Sequence, residues 1–267
     1  MTPASEDRAL LIVGGGRMGE ALLAGLMEAG RLPSELVVAE TSPSRRAELA
    51  AAHPGVEVLE TPARLASAVL AVKPGDAADA AVAIADAGAE RVLSIAAGVT
   101  TEAIERAVSG RLRVVRAMPN MPAVIGAGAA AVTPGATAHE GDLAWAEEIL
   151  GAVGTVVRVA EEGMDAVTGL AGSGPAYVFL VAEAMAEAGV LGGLPRGVAE
   201  TLAFQTLLGS ARLLVHGGAS PTELRAAVTS PGGTTAAGLR ELERRGVRAA
   251  FLDAVTAATE RSRELGA

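Results

Sequence analysis

The first half of the chain alternates short apolar runs with longer segments that carry apolar residues at helical spacing. An apolar run of about four to eight residues, bounded by Gly, Pro or polar residues, is typical of a buried strand. Such runs lie at residues 10–13, 36–39, 56–58, 65–72, 91–95, 113–118, 129–133 and 155–159, with helical segments that include 17–29, 101–108 and 140–150. This alternation predicts an α/β fold with a mostly parallel, doubly wound sheet that helices cover on both faces.

Strand patterns end near residue 162, and the rest of the chain has helical patterns. Helices are predicted over 175–188, 195–216 and 249–265, with shorter ones that begin near 220 and 234. We therefore expect an α/β domain at 1–162 and an all-helical domain at 163–267. The helical part is more apolar than about 100 residues can bury alone, which indicates an oligomer interface. A self-contained helical cap is the alternative.

The composition narrows the classes of partner and site. The net charge is -9 and the sequence has no basic cluster, which argues against a nucleic-acid partner. The chain has no Cys, and its Asp and Glu residues do not cluster, so we expect no disulfide and no metal site. Residues 1–8 are polar and no apolar run reaches about 18 residues, so we expect no signal peptide, no membrane span and a cytoplasmic location.

A glycine-rich turn directly follows the first apolar run. Gly14, Gly16 and Gly19 fit the pattern G-x-G-x-x-G between a strand and a helix. In that pattern the first glycine makes the turn, the second lets a pyrophosphate approach the backbone, and the third lets the helix pack closely on the strand. The helix start then offers N–H groups to the phosphates. The turn predicts dinucleotide binding, with a purely structural strand–helix turn as the alternative.

The residues after the second apolar run bear on the choice of dinucleotide. Glu40 follows this run about 20 residues after the glycine turn, where an acid commonly binds the adenosine ribose of NAD. Ser42, Arg45 and Arg46 come next, and hydroxyls with arginines at this position suit the 2′-phosphate of NADP. The alternative is that Ser44 caps a helix and both arginines are solvated. The pattern therefore supports both NADPH and NADH.

Two further predicted strand ends carry candidate residues. Lys73 is the single lysine of the chain, and it follows the apolar run 65–72 at the edge where ligands bind in parallel sheets. An ordinary surface cation is the alternative. Ala96 and Ala97 form a small-residue turn after the run 91–95, and we place them at the same edge.

A second candidate site lies between two predicted helices of the C-terminal part. Residues 229–235 read Thr-Ser-Pro-Gly-Gly-Thr-Thr, so small and rigid residues precede a helix start. Pro and Gly leave the backbone N–H groups uncovered, while Thr234 and Thr235 add hydroxyls. Such a loop can cradle a carboxylate, and an ordinary interhelix turn is the alternative.

Four sequence blocks together resemble one family. They are Ile-Val-Gly-Gly-Gly-Arg-Met-Gly-Glu-Ala at 12–21, Ala-Val-Lys-Pro at 71–74, Gly-Ser-Gly-Pro-Ala-Tyr at 172–177 and the loop at 229–235. In this order they resemble pyrroline-5-carboxylate reductase, and the last block is the most specific. Two positions depart from the family pattern, because Met121 stands where the family usually has threonine and Ala171 where serine is common.

The resemblance implies reduction of L-1-pyrroline-5-carboxylate to L-proline, the last step of proline biosynthesis, with NADPH or alternatively NADH. It also implies an N-terminal Rossmann domain, a C-terminal helical dimerisation domain, and dimers that often assemble into decamers. Together with the motifs above, it places the cofactor at Gly14, Gly16, Arg17, Met18, Gly19, Ser42, Arg45, Val72, Lys73, Pro74, Ala96 and Ala97. It places the substrate at Ser230, Gly232, Gly233, Thr234 and Thr235.

The expected chemistry needs few protein groups, because the nicotinamide carries the hydride and a protonated cyclic imine is electrophilic. Backbone N–H groups of Gly232, Gly233 and Thr234 are expected to bind the substrate carboxylate. The Thr235 hydroxyl is expected to hydrogen-bond the imine nitrogen and to help deliver a proton.

Three other functions are compatible with parts of the sequence. A β-hydroxyacid dehydrogenase uses a lysine from its helical domain, and the lack of any lysine after Lys73 argues against this function. A non-catalytic dinucleotide sensor would bind the cofactor without turnover. A reductase of another cyclic imine, such as a six-membered ring, would use the same residues.

Overall fold

The computed structural model describes residues 9–266, and within them eight strands form one sheet. The strands are β1 (Leu10–Val13), β2 (Leu36–Ala39), β3 (Glu57–Leu59), β4 (Ser67–Leu70), β5 (Arg91–Ser94), β6 (Arg113–Met118), β7 (Gly128–Pro134) and β8 (Gly154–Arg158). Their order is β3-β2-β1-β4-β5-β6-β7-β8, and every neighbouring pair is parallel except β6 and β7. The strand order reverses between β1 and β4, where doubly wound sheets bind dinucleotides.

The described residues form α-helices on both faces of the sheet and throughout the C-terminal part. They are α1 (Arg17–Glu28), α2 (Pro43–Ala52), α3 (Ala77–Asp86), α4 (Thr101–Ala107), α5 (Glu140–Gly151), α6 (Met164–Val167), α7 (Gly174–Leu191), α8 (Arg196–His216), α9 (Pro221–Ala227), α10 (Thr234–Arg244) and α11 (Val247–Gly266). Short 3-10 turns lie at Pro33–Glu35, Pro74–Asp76, Met121–Ile125 and Glu161–Gly163, and one π-helical turn lies at Thr168–Gly172.

The core consists of two apolar clusters, one on each face of the sheet. Leu10 and Ile12 of β1 belong to the first cluster, with residues of α1 and α5. Leu11 and Val13 belong to the second cluster, with residues of α3 and α4. A strand that is buried on both faces needs a continuous apolar run, which is the pattern found in β1. The predicted doubly wound α/β sheet is therefore confirmed.

The chain divides into two compact units. The first contains residues 9–173 and 257–266, and the second contains residues 174–256. Within the second unit α7 packs against α8, and many large apolar side chains are exposed, such as Leu191 at 91% and Val215 at 75%. One helical stretch among the described residues, Glu161–Leu191, is long and apolar enough for a membrane span by length and composition, which alone is a weak indication.

The predicted bounds of β1, β2 and β6 match the structure, because each is a largely apolar run that stops at Gly, Glu or Pro. The other strands differ from the predicted bounds by one or two residues at one or both ends. The α2 cap is Ser42, whose side chain accepts a hydrogen bond from the Arg45 N–H at 3.4 Å. The alternative with Ser44 as the cap is wrong, because the helix already begins at Pro43. The predicted polar segment 1–8 lies outside the described residues.

Candidate functional site

The glycine turn connects β1 to α1, and two of its glycines are required by packing. Gly14 has φ +101°, and an added Cβ there would lie 2.4 Å from the carbonyl oxygen of Ala71. At Gly19 an added Cβ would lie 2.1 Å from the carbonyl oxygen of Gly14. Both distances are far below van der Waals contact, so only glycine fits. The turn therefore brings the backbone of α1 directly against the ends of β1 and β4.

Gly16 has a different role. An added Cβ at Gly16 would meet no atom of the protein within 4 Å. Gly16 is also the N-cap of α1, and no side chain caps this helix start. Uncapped N–H groups at an open helix start form an anion site, which suits a pyrophosphate.

A cavity of about 650 Å³ opens beside this turn, at the carboxyl ends of β1, β2 and β4. Of the predicted cofactor residues, Gly14, Gly16, Val72 and Lys73 line it. Several other polar or rigid residues line the cavity and were not predicted from sequence, namely Thr41, Glu60, Thr61, Pro62, Asp76 and Asp79. Asp76 and Asp79 follow Lys73 closely in the sequence, and this spacing was the only indication that they lie near a predicted cofactor residue. The cavity, the open Gly16 and the uncapped helix start together fit one half of a dinucleotide.

Glu40 also lines this cavity, and two backbone groups hold its carboxylate. The Gly15 N–H donates to one carboxylate oxygen at 2.9 Å, and the Ser42 N–H donates to the other at 2.8 Å. Glu40 comes directly after β2, so the strand fixes the position of its backbone. The carboxylate is therefore fixed next to the glycine turn.

Arg45, a predicted cofactor residue, makes contacts within the protein. Its Nε donates to the carbonyl oxygen of Gly15 at 2.7 Å, and its terminal nitrogens bond Glu48 at 2.9 Å and Glu20 at 2.5 Å. These two carboxylates raise the pKa of Arg45, Glu48 more strongly. The hydrogen bond from Arg45, followed by one from His53, lowers the pKa of Glu20 although burial opposes this shift.

The other predicted cofactor residues lie outside the large cavity. Arg17 is exposed at the start of α1, Met18 packs against the first core cluster, and Ala96 is buried. Pro74 and Ala97 line a second cavity of about 300 Å³, together with Thr168, Ser173, Ala258, Arg261 and Ser262. None of these last five residues was predicted from sequence to have a role in the site. They come from two separate segments, 168–173 and 258–262, so no local motif joins all of them.

Asn120 connects the turn after β6 to the π-helical turn. Its amide nitrogen donates to the carbonyl oxygen of Ala171 at 3.1 Å, and its amide oxygen accepts from the Ala129 N–H at 2.9 Å. Met121 is 54% exposed and starts a 3-10 turn. The two departures from the family pattern thus leave these contacts of Asn120 in place.

The candidate substrate loop lies in the second unit, between α9 and α10. Gly232 has φ +71°, and an added Cβ at Gly233 would lie 2.5 Å from the Ser230 hydroxyl oxygen. Gly233 is the N-cap of α10, and no side chain caps this helix start. Thr234 and Thr235 are its first residues, with Thr235 half-buried. The loop therefore presents the uncapped start of an 11-residue helix.

One predicted donor of this loop is already in use. The Gly233 N–H donates to the carbonyl oxygen of Ser230 at 3.0 Å, which closes a tight turn. This N–H is therefore engaged within the loop, and its expected contact with a carboxylate stays a prediction. The N–H groups of Gly232 and Thr234 and the side chains of Ser230 and Thr235 remain candidates.

Comparisons with known proteins give the family. The family model described as "Pyrroline-5-carboxylate reductase dimerisation" matches residues 161–265, and the model described as "NADP oxidoreductase coenzyme F420-dependent" matches residues 9–98. A pyrroline-5-carboxylate reductase of Synechocystis sp. is 45% identical over 264 residues, which cover 96% of this chain and 97% of the relative. The chain belongs to the pyrroline-5-carboxylate reductase family. The predicted family and enzyme class are thus confirmed.

Solved structures of this family agree with the fold. A pyrroline-5-carboxylate reductase from Coxiella burnetii has a TM-score of 0.91 and 36% identity, and the match covers 97% of this chain and 99% of that chain. The Plasmodium falciparum pyrroline carboxylate reductase with NADP bound has a TM-score of 0.86 and 29% identity, with coverages of 98% and 99%. The predicted pairing of a Rossmann-like domain with a helical dimerisation domain is confirmed.

Proposed function

We propose that this protein reduces L-1-pyrroline-5-carboxylate to L-proline, with a reduced nicotinamide dinucleotide as the hydride donor. The observation that carries this function is the uncapped start of α10 behind the loop 229–235, in a chain of the pyrroline-5-carboxylate reductase family. An open helix start is an anion site, and the substrate brings one carboxylate. Cyclic imine reduction needs such an anchor, because it fixes which face of the ring receives the hydride.

The substrate roles are assigned to the residues of this loop. The N–H groups of Gly232 and Thr234 and the Ser230 hydroxyl bind the carboxylate, while Gly233 closes the turn that aims them. The Thr235 hydroxyl donates a hydrogen bond to the ring nitrogen and helps to deliver its proton. Thr235 is half-buried at the second position of α10.

The cofactor roles follow from the glycine turn and the large cavity. The N–H groups at the start of α1 hold the pyrophosphate, with Arg17 and Lys73 as nearby cations, and the backbone of Gly14, Gly16 and Val72 forms the wall. Pro74 and Ala97 line the second cavity, which suits the nicotinamide half. When bound, the nicotinamide supplies the hydride. The NADP oxidoreductase match and the NADP in the Plasmodium structure support use of NADPH, and NADH is the alternative donor.

The second unit is assigned to self-association. Its exposed apolar side chains include Phe179, Leu191, Phe204 and Leu213, more apolar surface than a monomer keeps in water. Their location within the dimerisation match supports a homodimer, and a pentamer of dimers is the expected larger assembly. We keep the functional boundary at residues 162 and 163, next to the start of this match. A cytoplasmic location without a membrane or nucleic-acid partner stays a prediction.

A direct assay tests the activity. Oxidation of NADPH or NADH, followed by the nicotinamide absorbance with pyrroline-5-carboxylate as substrate, should show turnover that depends on both reactants. The six-membered cyclic imine carboxylate serves as the comparison substrate. Turnover with the six-membered ring alone would show that the substrate is another cyclic imine. Dinucleotide binding without any turnover would support the sensor function.

A further inference from the structure

The adenosine end of the large cavity has an acid where the two dinucleotides differ. Glu40 follows β2 directly and lines the cavity with Gly14 and Gly16. In folds of this type, a residue at this strand end meets the 2′ position of the adenosine ribose. NADH has a hydroxyl there, and NADPH has a phosphate. The group that faces this position therefore decides between them.

The Glu40 carboxylate is held as an acceptor. The Gly15 and Ser42 N–H groups each donate to one of its oxygens, at 2.9 and 2.8 Å. Each carboxylate oxygen can accept a further hydrogen bond, so the ribose hydroxyl of NADH finds a partner. A 2′-phosphate would instead meet the carboxylate oxygens that these two N–H groups hold in position.

The two arginines that could bind a 2′-phosphate are occupied elsewhere. Arg45 donates hydrogen bonds to the Gly15 carbonyl oxygen, Glu20 and Glu48, so it holds the backbone of the glycine turn in position. Arg46 donates to the carbonyl oxygens of Glu40 and Thr41, both at 2.8 Å, and approaches Glu60 at 3.4 Å. Neither arginine lines the cavity.

The charge of the cavity wall also favours NADH over NADPH. Glu40, Glu60, Asp76 and Asp79 line it, against Lys73 as the one lining cation. The pyrophosphate already needs the positive charge of Lys73 and of the α1 start. An additional phosphate at the ribose would meet these carboxylates, and no arginine lines the cavity to balance its charge.

We propose that Glu40 is the specificity-determining residue for the dinucleotide, and that it makes NADH the more efficient donor although NADPH is also used. Arg45 is then a positioning residue of the glycine turn and not a phosphate ligand. This inference rests on the proposed function for its kinetic test. Its binding test is independent of the reaction.

The kinetic test compares kcat/KM for NADH and NADPH in the full-length protein and in Glu40→Gln. The wild-type ratio of NADH to NADPH should exceed one. Glu40→Gln keeps an acceptor oxygen but removes the charge, and should lower this ratio by about tenfold or more, the change that one charged hydrogen bond commonly produces. Asp79→Asn removes one charge from the same cavity wall and should change the ratio much less.

The binding test uses the adenosine half alone. Calorimetry with AMP and with adenosine 2′,5′-bisphosphate should show weaker binding of the bisphosphate by the wild type, and a loss of this difference in Glu40→Gln. Tighter bisphosphate binding by the wild type, or equal shifts from Glu40→Gln and Asp79→Asn, would overturn the role of Glu40. If neither donor supports turnover but the binding difference is present, the proposed reaction is wrong and the role of Glu40 in dinucleotide binding is supported.

Discussion

Gly19 and Gly14 touch so closely that a Cβ on Gly19 would lie 2.1 Å from the carbonyl oxygen of Gly14. The start of α1 therefore rests directly on the backbone that ends β1. Gly16 lies between them in the sequence, and an added Cβ there would meet no protein atom within 4 Å. Two glycines of one turn thus serve packing, and the third leaves room for a ligand.

This difference gives a paired prediction. Gly19→Ala should lower the free energy of unfolding by about 1–3 kcal/mol, because overpacking forces the backbone apart. Gly16→Ala should fold as well as the wild type, since its φ of -67° suits alanine. It should nevertheless raise the dinucleotide Kd about tenfold or more, because the methyl group keeps the pyrophosphate off the backbone. Thermal unfolding and a fluorescence titration separate the two effects, and unchanged dinucleotide affinity in Gly16→Ala would contradict the assigned site.

The proposed role of Thr235 can be tested with an isosteric change. Thr235→Val removes the hydroxyl and keeps the shape, so kcat should fall roughly 10²-fold, as for loss of one acid–base group. Thr235→Ser keeps the hydroxyl and should recover most of the rate. The dinucleotide Kd should stay the same in both variants. Full turnover in Thr235→Val, measured by nicotinamide absorbance, would exclude a role in proton delivery.

The Glu20 contacts predict how stability responds to acid. Hydrogen bonds from Arg45 and then His53 lower the pKa of Glu20, so its ionised form stabilises the folded state. This contribution is complete above the unfolded pKa of about 4.3 and is lost as the pH falls through the lower folded value. Glu20→Gln should therefore be less stable than the wild type at neutral pH, and should lose less stability on acidification.

Urea unfolding at about pH 7 and about pH 3.5 measures this difference. Glu57→Gln is the matched control, because it removes an exposed carboxylate of β3. An acid response of Glu20→Gln that equals the wild-type response would show that the cluster of Glu20, Arg45 and His53 contributes nothing to pH-dependent stability.

Self-association through the second unit gives a further prediction. Phe204 on α8 is 52% exposed, and a charge at a buried dimer interface is strongly unfavourable. Phe204→Asp should therefore shift the protein to monomers in analytical ultracentrifugation. Leu32→Asp places the same charge at a 59% exposed leucine of the first unit and should leave the assembly unchanged. If both variants sediment identically, α8 is not part of the interface.

The strands and the glycine turn could be predicted because local pattern decides them. The continuous apolar runs of β1 and β2 are compatible with little other than buried strands. Gly14 and Gly19 are required by backbone contacts at one turn. The antiparallel pairing of β7 with β6 had no local signal, since the register of a strand depends on its partner.

The cavity residues and contacts that local sequence pattern did not predict depend on distant parts of the chain. The hydrogen bond of Arg45 to Glu20, which lies 25 residues earlier, is one such contact. Arg261 reaches the second cavity from the last helix, and Thr168 from a π-helical turn. The turn hydrogen bond from the Gly233 N–H to the Ser230 carbonyl oxygen is short-range, but it likewise cannot be predicted from composition.

Lys73 carries the only lysine side chain of the chain, and it is exposed on the wall of the large cavity. Each protomer therefore contains one ε-amine, placed where the dinucleotide is proposed to bind. Isotope-labelled lysine would give a single side-chain signal per protomer in an NMR spectrum, without any need for assignment. The natural composition thus provides a built-in reporter, whose shift on titration with NADH or NADPH would follow binding at one defined atom.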